Sequence, residues 1–292
     1  MTIYFLLRAV SMVSRFVPLS ALYVLAGPVA RLASLVPSRA RAAVRANIAQ
    51  ATGQQAHSLP VRRAATQAFR CQILNYVDLL RLDQITPAEY DATVVHGDLT
   101  PFTDVVAAGK GAIIISAHVG NMDYVGQWLA LHDVRVHALM ERLKPEKLFQ
   151  FVCHKREGLG IHMHPVGSEA MGLLTTALRE GATVALIADR DITGAGERVE
   201  FFGRMTRLPI GPALLALRTG APLVAAFGRR LPDNRLFVSV RPPVYLKRTR
   251  NLRADLQEGL RTIARLLEEG IAETPEQWLV FEPVWPQAGE VA

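Results

Sequence analysis

Two short runs, Ala112-Ile-Ile-Ile115 and Val184-Ala-Leu-Ile187, are apolar at every position. A strand with one wet face alternates apolar and polar residues, so a strand that does not alternate is covered on both faces. Such strands belong in the middle of a largely parallel sheet with helices above and below it. The rest of the chain agrees. β-rich runs at 92–95, 111–116, 134–139, 161–165, 183–188, 223–228 and 236–240 alternate with helical segments at 100–108, 124–132, 145–159, 168–179 and 212–219. An amphipathic helix at 252–273 closes the pattern. The expected fold class is α/β, with a central, mostly parallel sheet flanked by helices. No repeat, low-complexity tract or linker divides it.

Residues 1–90 have another texture. Helical composition at 38–52 and 61–83 follows an apolar stretch over 3–36. The first acidic residue is Asp78, and nine arginines precede it. Only five of the chain's 33 basic residues are Lys, and Arg is the better phosphate partner because its planar fork pairs two oxygens at once. This quarter of the chain is therefore expected to face something anionic. The longest uncharged stretch, Phe16–Ala30, is 15 residues and contains Pro18 and Pro28. A spanning helix needs about 20 apolar residues. A secretory signal would carry a small-residue cleavage site, and none is clear here. An in-plane membrane anchor fits best, apolar faces in the lipid boundary and arginines toward anionic head groups. A spanning or re-entrant segment and an ordinary buried helical pair are the alternatives. Nucleic acid is not an expected partner, because the basic segment lacks base-stacking aromatics at useful spacing. The organisation expected is a helical, basic, membrane-associating segment at 1–90, continuous with an α/β core at 91–292.

Composition narrows the class further. Half the residues are hydrophobic and 20% are charged, which excludes a disordered chain. Two cysteines, Cys71 and Cys153, exclude a disulfide-built scaffold and a four-cysteine zinc site.

The sharpest local feature follows the first apolar run: Ser116-Ala-His118-Val-Gly-Asn121-Met-Asp123. Functional groups in open α/β sheets gather at the carboxyl ends of strands. A histidine there, with a carboxylate holding one ring N–H, has its other nitrogen available as a base. Asp123 is placed to reach back across the turn; the plainer reading is a loop histidine and a helix-capping Asp. Asp189, Arg190 and Asp191 follow the second apolar run, as part of a site or as a solvated loop. Glu200 and Gly203 lie in Val199-Glu-Phe-Phe-Gly203, and Pro209 and Gly211 direct the backbone into a helix whose free N–H groups suit a phosphate, or simply make a turn. Arg142 and Arg156 are phosphate-binding candidates or members of surface Glu–Arg pairs. His154, His162 and His164 lack an accompanying carboxylate or cysteine pattern, so no metal site is expected. Neither cysteine sits in an activating motif, and G-x-S-x-G, P-loop and G-x-G-x-x-G patterns are absent from the sequence.

In this order the motifs are familiar. His118-x4-Asp123 after a hydrophobic strand resembles the HX4D motif of the glycerolipid and lipid A acyltransferase superfamily. The likeness continues through Met140-Glu-Arg-Leu-Lys-Pro145, Lys155-Arg-Glu-Gly-Leu-Gly160, Ala188-Asp-Arg-Asp191, Val199-Glu-Phe-Phe-Gly203 and Leu208-Pro-Ile-Gly-Pro212, and ends near Glu276-Gln-Trp-Leu-Val-Phe-Glu-Pro-Val-Trp285. It covers about residues 38–286 and is strongest toward the bacterial phosphatidylinositol mannoside acyltransferases. Departures are Asp189 where that family typically has Glu, and Met122 where it has Trp. The resemblance implies an α/β sandwich with a helical N-terminal part and an apolar groove for an acyl chain. It implies transfer of a fatty acyl group from acyl-CoA or acyl carrier protein to a glycolipid hydroxyl, with no other cofactor. His118 would be the general base, oriented by Asp123 or Asp189, and Arg156 would lie near the acceptor or the oxyanion. Asn121, Arg142, Arg190, Asp191, Glu200, Gly203, Pro209 and Gly211 would line the substrate site. Location on the cytoplasmic face of the plasma membrane, peripheral or monotopic, is implied as well. A lipid A precursor or a lysophospholipid as acceptor, and a catalytically silent lipid-binding protein, are the competing readings.

Overall fold

The computed structural model describes residues 2–158 and 160–285. Leu159, the expected end of one helix, and residues 286–292 of the expected core lie outside the described residues. A seven-stranded sheet runs in the order β1-β9-β8-β2-β5-β3-β4. Its strands are β1 (Val94–His96), β2 (Ala112–Ser116), β3 (Val136–Met140), β4 (His162–Pro165), β5 (Thr183–Ile187), β8 (Leu223–Arg230) and β9 (Leu236–Val240). Every neighbouring pair is parallel except β8 with β9. The two all-apolar runs are β2 and β5, paired Ala112 to Thr183 through Ser116 to Ile187. β2 is central and buried along its whole length. Ile113, Ile115, Val184, Leu223 and Leu267 anchor the main core, beneath α9 (Ala170–Arg179), α10 (Gly211–Thr219) and α11 (Leu252–Glu273).

Three elements escape the periodicity reading. Val199 and Phe201 are buried and Glu200 is exposed, so residues 197–201 form an alternating strand, β6 (Glu197–Phe201), paired antiparallel with β7 (Arg204–Leu208). The connecting Phe202 and Gly203 both take positive φ, 49° and 71°, the signature of a tight two-residue hairpin turn. A short helix, α5 (Pro87–Thr93), precedes β1; the side chain of Thr86 accepts from the Glu89 N–H and Glu89 accepts from the Thr86 N–H, a closed capping box.

The N-terminal part consists of α1 (Thr2–Ser14), α2 (Leu19–Leu35), α3 (Arg39–Thr52) and α4 (Leu59–Arg81). Ser38 and Ser58 cap α3 and α4 through their hydroxyls, and Gly53 ends α3 in the left-handed conformation that glycine adopts without strain. Ala26, Ala30 and Ser34 recur every fourth residue of α2, and this stripe of small residues is the helix's buried face; α2 packs along α4. No single helix among the described residues is long and apolar enough to cross a membrane. α2 and α3 together have the length and composition, but they meet at a 92° bend. α3 and α4 pack with Leu279, and the Asn47 amide donates to the carbonyls of Val280 and Glu282 at 3.0 and 2.8 Å. The helical part is thereby stitched to the end of the described core.

Candidate active site

β2 leaves the sheet centre at Ser116, and His118 follows two residues later. The loop that carries it is fixed from both sides. The Leu279 N–H donates to the His118 carbonyl at 2.7 Å, the Gly120 N–H to Gln277 at 3.1 Å, and the Asn121 N–H to Gly228 at 3.0 Å. Gly120 has φ +60°, and a Cβ there would land on the Gly228 carbonyl, so only glycine fits the approach to β8. Asn121 then caps α7 (Met122–Leu131), its Oδ1 accepting the Tyr124 N–H at 3.1 Å.

The carboxylate that meets the His118 ring is Asp189, at the end of β5. His118 Nδ1 lies 2.6 Å from Asp189 Oδ1, and the His118 backbone N–H donates to Oδ2 at 2.9 Å. Trp278 Nε1–H donates to the same Oδ2 at 2.7 Å. Asp189 has no exposed surface. Burial alone would push its carboxyl up, but the His118 ring beside it and the hydrogen bonds from His118 and Trp278 hold it below the usual carboxylate range. An ionised Asp189 puts the imidazole proton on Nδ1 and leaves the Nε2 lone pair free. The ring is about a third exposed, and among the described residues no protein group bonds to Nε2. Phe201, Phe202, Trp278 and Trp285 form a contiguous aromatic cluster around the indole that holds Asp189.

Asp123 does not orient the ring. It pairs with Arg156 on α8 (Glu146–Glu157), with Arg156 Nε 2.8 Å from Oδ1 and Nη2 donating to Oδ2 at 2.9 Å. Of the two carboxylates left open by the sequence, Asp189 takes the histidine and Asp123 the arginine.

Behind the loop lies a polar network within the interior. Asp78 of α4, 2% exposed, accepts from Tyr23 Oη at 2.5 Å, from Asn121 Nδ2 at 2.8 Å and from Arg230 of β8. Arg230 also donates to Asn75 Oδ1 at 3.1 Å, and Asn75 Nδ2 donates to the Gly120 carbonyl at 2.5 Å. Burial, then the neighbouring Asp78 charge, pushes the Tyr23 phenol well up; it stays a donor. The network thus runs from α2 through α4 to the backbone of the histidine loop.

Over residues 1–287 the chain matches the family described as bacterial lipid A biosynthesis acyltransferase. The chain belongs to that family. It is 33% identical over 229 residues to the phosphatidylinositol mannoside acyltransferase of Mycobacterium tuberculosis, which covers 75% of this chain and 66% of the relative. It is also 33% identical over 192 residues to the protein of the same name from Mycolicibacterium smegmatis, covering 62% of this chain and 60% of that one. The matched stretch spans a little under two thirds of these relatives' length.

Within this family member the other sequence candidates divide by what holds them. Asn121 is buried, and both ends of its amide are engaged, by Tyr124 and Asp78. Asp191 folds its own loop: Oδ1 accepts the N–H groups of Thr193 and Gly194, and Oδ2 that of Gly196. Arg190 bridges Glu141 at 3.2 Å and Glu282 at 2.7 Å. Arg142 pairs with Glu146 four residues on and is exposed, the surface-pair arrangement. Glu200 is exposed on β6, Gly203 makes the hairpin turn, and Pro209 leads into Gly211 at the start of α10, near Met171 of α9. Burial pushes the Cys71 thiol up to about 11 and raises that of Cys153, so neither is a thiolate near neutral pH. Among the described residues no group of three or more His, Cys, Asp or Glu is placed to hold a metal ion. Sequence reasoning missed Trp278, Asp78, Asn75 and Arg230. Trp278 sits in a segment that the family resemblance had marked; the other three carried no local signal.

Proposed function

We propose that the protein transfers a fatty acyl chain from an acyl thioester, acyl-CoA or acyl carrier protein, to a hydroxyl of a phosphatidylinositol mannoside-type glycolipid. One observation carries the reading: His118 held by a buried carboxylate through Nδ1, with Nε2 open, at the carboxyl end of the central strand. In this mechanism Nε2 takes the proton of the acceptor hydroxyl as its oxygen attacks the thioester carbonyl carbon. A tetrahedral oxyanion forms. The carbon–sulfur bond then breaks, and the imidazolium returns the proton to the departing thiolate. Asp189 keeps the tautomer and stabilises the imidazolium. Asp123 acts through Arg156, fixing a cation for the anionic part of a substrate or for the oxyanion.

The same reading places the enzyme on the cytoplasmic face of the plasma membrane, peripheral or monotopic. Support comes from α1 and α2: eleven of the nineteen exposed large apolar side chains among the described residues fall in residues 1–36, interleaved with Arg8, Arg15 and Arg31. A lipid A precursor is the second acceptor to consider, favoured by the description of the matched family.

The test is transfer from labelled palmitoyl-CoA to a detergent-solubilised panel of phosphatidylinositol mannosides, a lipid A precursor and lysophospholipids. Product is expected on the mannoside lipid and absent with His118→Ala. Thioester hydrolysis without product, dependent on His118, would move the acceptor assignment. A folded His118→Ala protein with full transfer would remove the base role.

A further inference from the structure

A groove of about 600 Å³ opens between α1 and α8. Its charge is unbalanced. Arg8 and Arg15 reach it from α1 and the turn after it, Lys147 and Lys155 from α8, and one carboxylate, Asp83, answers them. Asp83 is shared: Lys155 Nζ lies 2.5 Å from it and Arg15 3.2 Å. Among the described residues Arg8 bonds to the Tyr4 hydroxyl alone, at 3.1 Å, and Lys147 meets no carboxylate. Its chain neighbour Glu146 is engaged by Arg142. The wall between the cations is aromatic: the Phe151 ring stands edge-on to Tyr4 at 6.2 Å with Lys155 above it at 5.7 Å. Lys155 is 3% exposed, so the pair with Asp83 is a fixed floor rather than a free surface charge.

We propose that this groove binds a phosphate ester, with Arg8, Lys147 and Arg15 on the phosphate oxygens and Tyr4 and Phe151 against the group it carries. Arginines suit the site because their fork pairs two phosphate oxygens, and the excess of cations calls for more negative charge than Asp83 supplies. Two sources share this chemistry: the head group of a bilayer phospholipid, whose tails would meet the exposed Phe5 and Met12 of α1, and the phosphates of a nucleotide-bearing thioester donor. The proposal rests on the acyltransferase reading only for its choice of probes.

Binding is measured without turnover, so its failure is separable from failure of acyl transfer. The probes are 3′,5′-ADP in solution and vesicles of phosphatidylcholine with or without phosphatidylinositol. Wild type is compared with R8Q/K147Q, and with R248Q/R250Q, which removes two exposed charges outside both the groove and the α1–α2 pair. A cation near an anionic surface is worth roughly a factor of five, so the groove variant should lose roughly 30-fold on at least one probe and clearly more than the control. Loss on 3′,5′-ADP alone assigns the donor phosphates, and loss on phosphatidylinositol vesicles alone assigns the head group. Equal losses in the two variants would mean diffuse charge and overturn the site. A wild-type protein that binds neither probe overturns it too.

Discussion

The sheet core and the α1–α2 pair are built from the same kinds of side chain, but they hide them differently. Ile113, Ile115 and Leu223 have no exposed surface, while Phe16, Val24 and Leu32 are 85%, 73% and 67% exposed. The core closes on itself with large residues. α2 turns its small residues and the Tyr23 hydroxyl inward, against α4, and α1 is tied down largely through polar groups: Ser11 to the Leu80 carbonyl, Arg15 to Asp83, and Arg81 to the Ser14 and Val17 carbonyls. Polar ties of this kind contribute about 1 kcal/mol each, far less than a packed apolar core. The pair is therefore attached to the core rather than merged with it, with its apolar side chains directed outward.

The largest effect should come from breaking the core's own chemistry and leaving the attachment alone. Asp189→Asn removes the charge that sets the His118 tautomer, and transfer should fall on the order of 10⁴-fold. Vesicle binding should be unchanged. A variant that loses membrane binding as well would mean that the two regions are not independent, because among the described residues the Asp189 side chain hydrogen-bonds to His118 and Trp278 alone.

The next effect concerns the joint. Asp78 accepts from Tyr23 on one side and from Asn121 and Arg230 on the other. Asp78→Ala leaves the buried Arg230 without its carboxylate, at a cost of about 3–5 kcal/mol of stability. Tyr23→Phe removes a single donor and should cost about 1 kcal/mol. Thermal unfolding with limited proteolysis after Leu35 separates them: Asp78→Ala should destabilise the whole chain, Tyr23→Phe should expose α2 first. Equal protease resistance in Tyr23→Phe would show that packing of Ala26, Ala30 and Ser34 on α4 holds the helix without the phenol.

How much of this was legible in the sequence follows the same division. β2 and β5 could be read because an unbroken apolar run fits a strand covered on both faces; the exception is Ile187, exposed at the end of β5. His118 could be placed because the chain must turn at a strand end. The joint could not be read: Asp78 and Arg230 are 152 residues apart, and no periodicity encodes a pairing across that distance. The same holds for Trp278 and Asp189, 89 residues apart. The β6–β7 hairpin was hidden by the charged residues at its exposed positions, among them Glu200, Arg204 and Arg207, and its turn by Phe202, a residue that seldom takes positive φ.

A smaller effect tests the outward face. Changing Phe16, Val24 and Leu32 to Ser removes apolar surface that the folded chain does not bury. The melting temperature should hold, and affinity for anionic vesicles should fall on the order of 100-fold, since shallow burial of each large apolar side chain is worth about 1 kcal/mol. A drop in melting temperature with unchanged vesicle binding would reverse the assignment and make this face a packing surface.

The smallest effect lies at the far edge of the sheet, where β3 and β4 bring three histidines to one face. His137 Nδ1 lies 2.9 Å from His164 Nε2, and the His137 ring stacks on His162 at 4.6 Å. Burial, the two neighbouring rings and Arg135 push His137 down to about 4. In the unfolded chain a histidine titrates near ~6.5, so between about pH 6.5 and 4 the unfolded state holds a proton that the folded state refuses. Stability contributed by the neutral ring is present above that window and is lost as pH falls through it. Because His137 is more exposed than a core residue, water screens the penalty and the slope is shallow. His137→Gln should flatten it, read as the difference between wild-type and variant melting temperatures across pH 4 to 7. The α1–α2 pair, whose ties to α4 hold no histidine, should show no difference in protease resistance over the same range. A slope identical in both proteins would place the acid sensitivity outside this cluster.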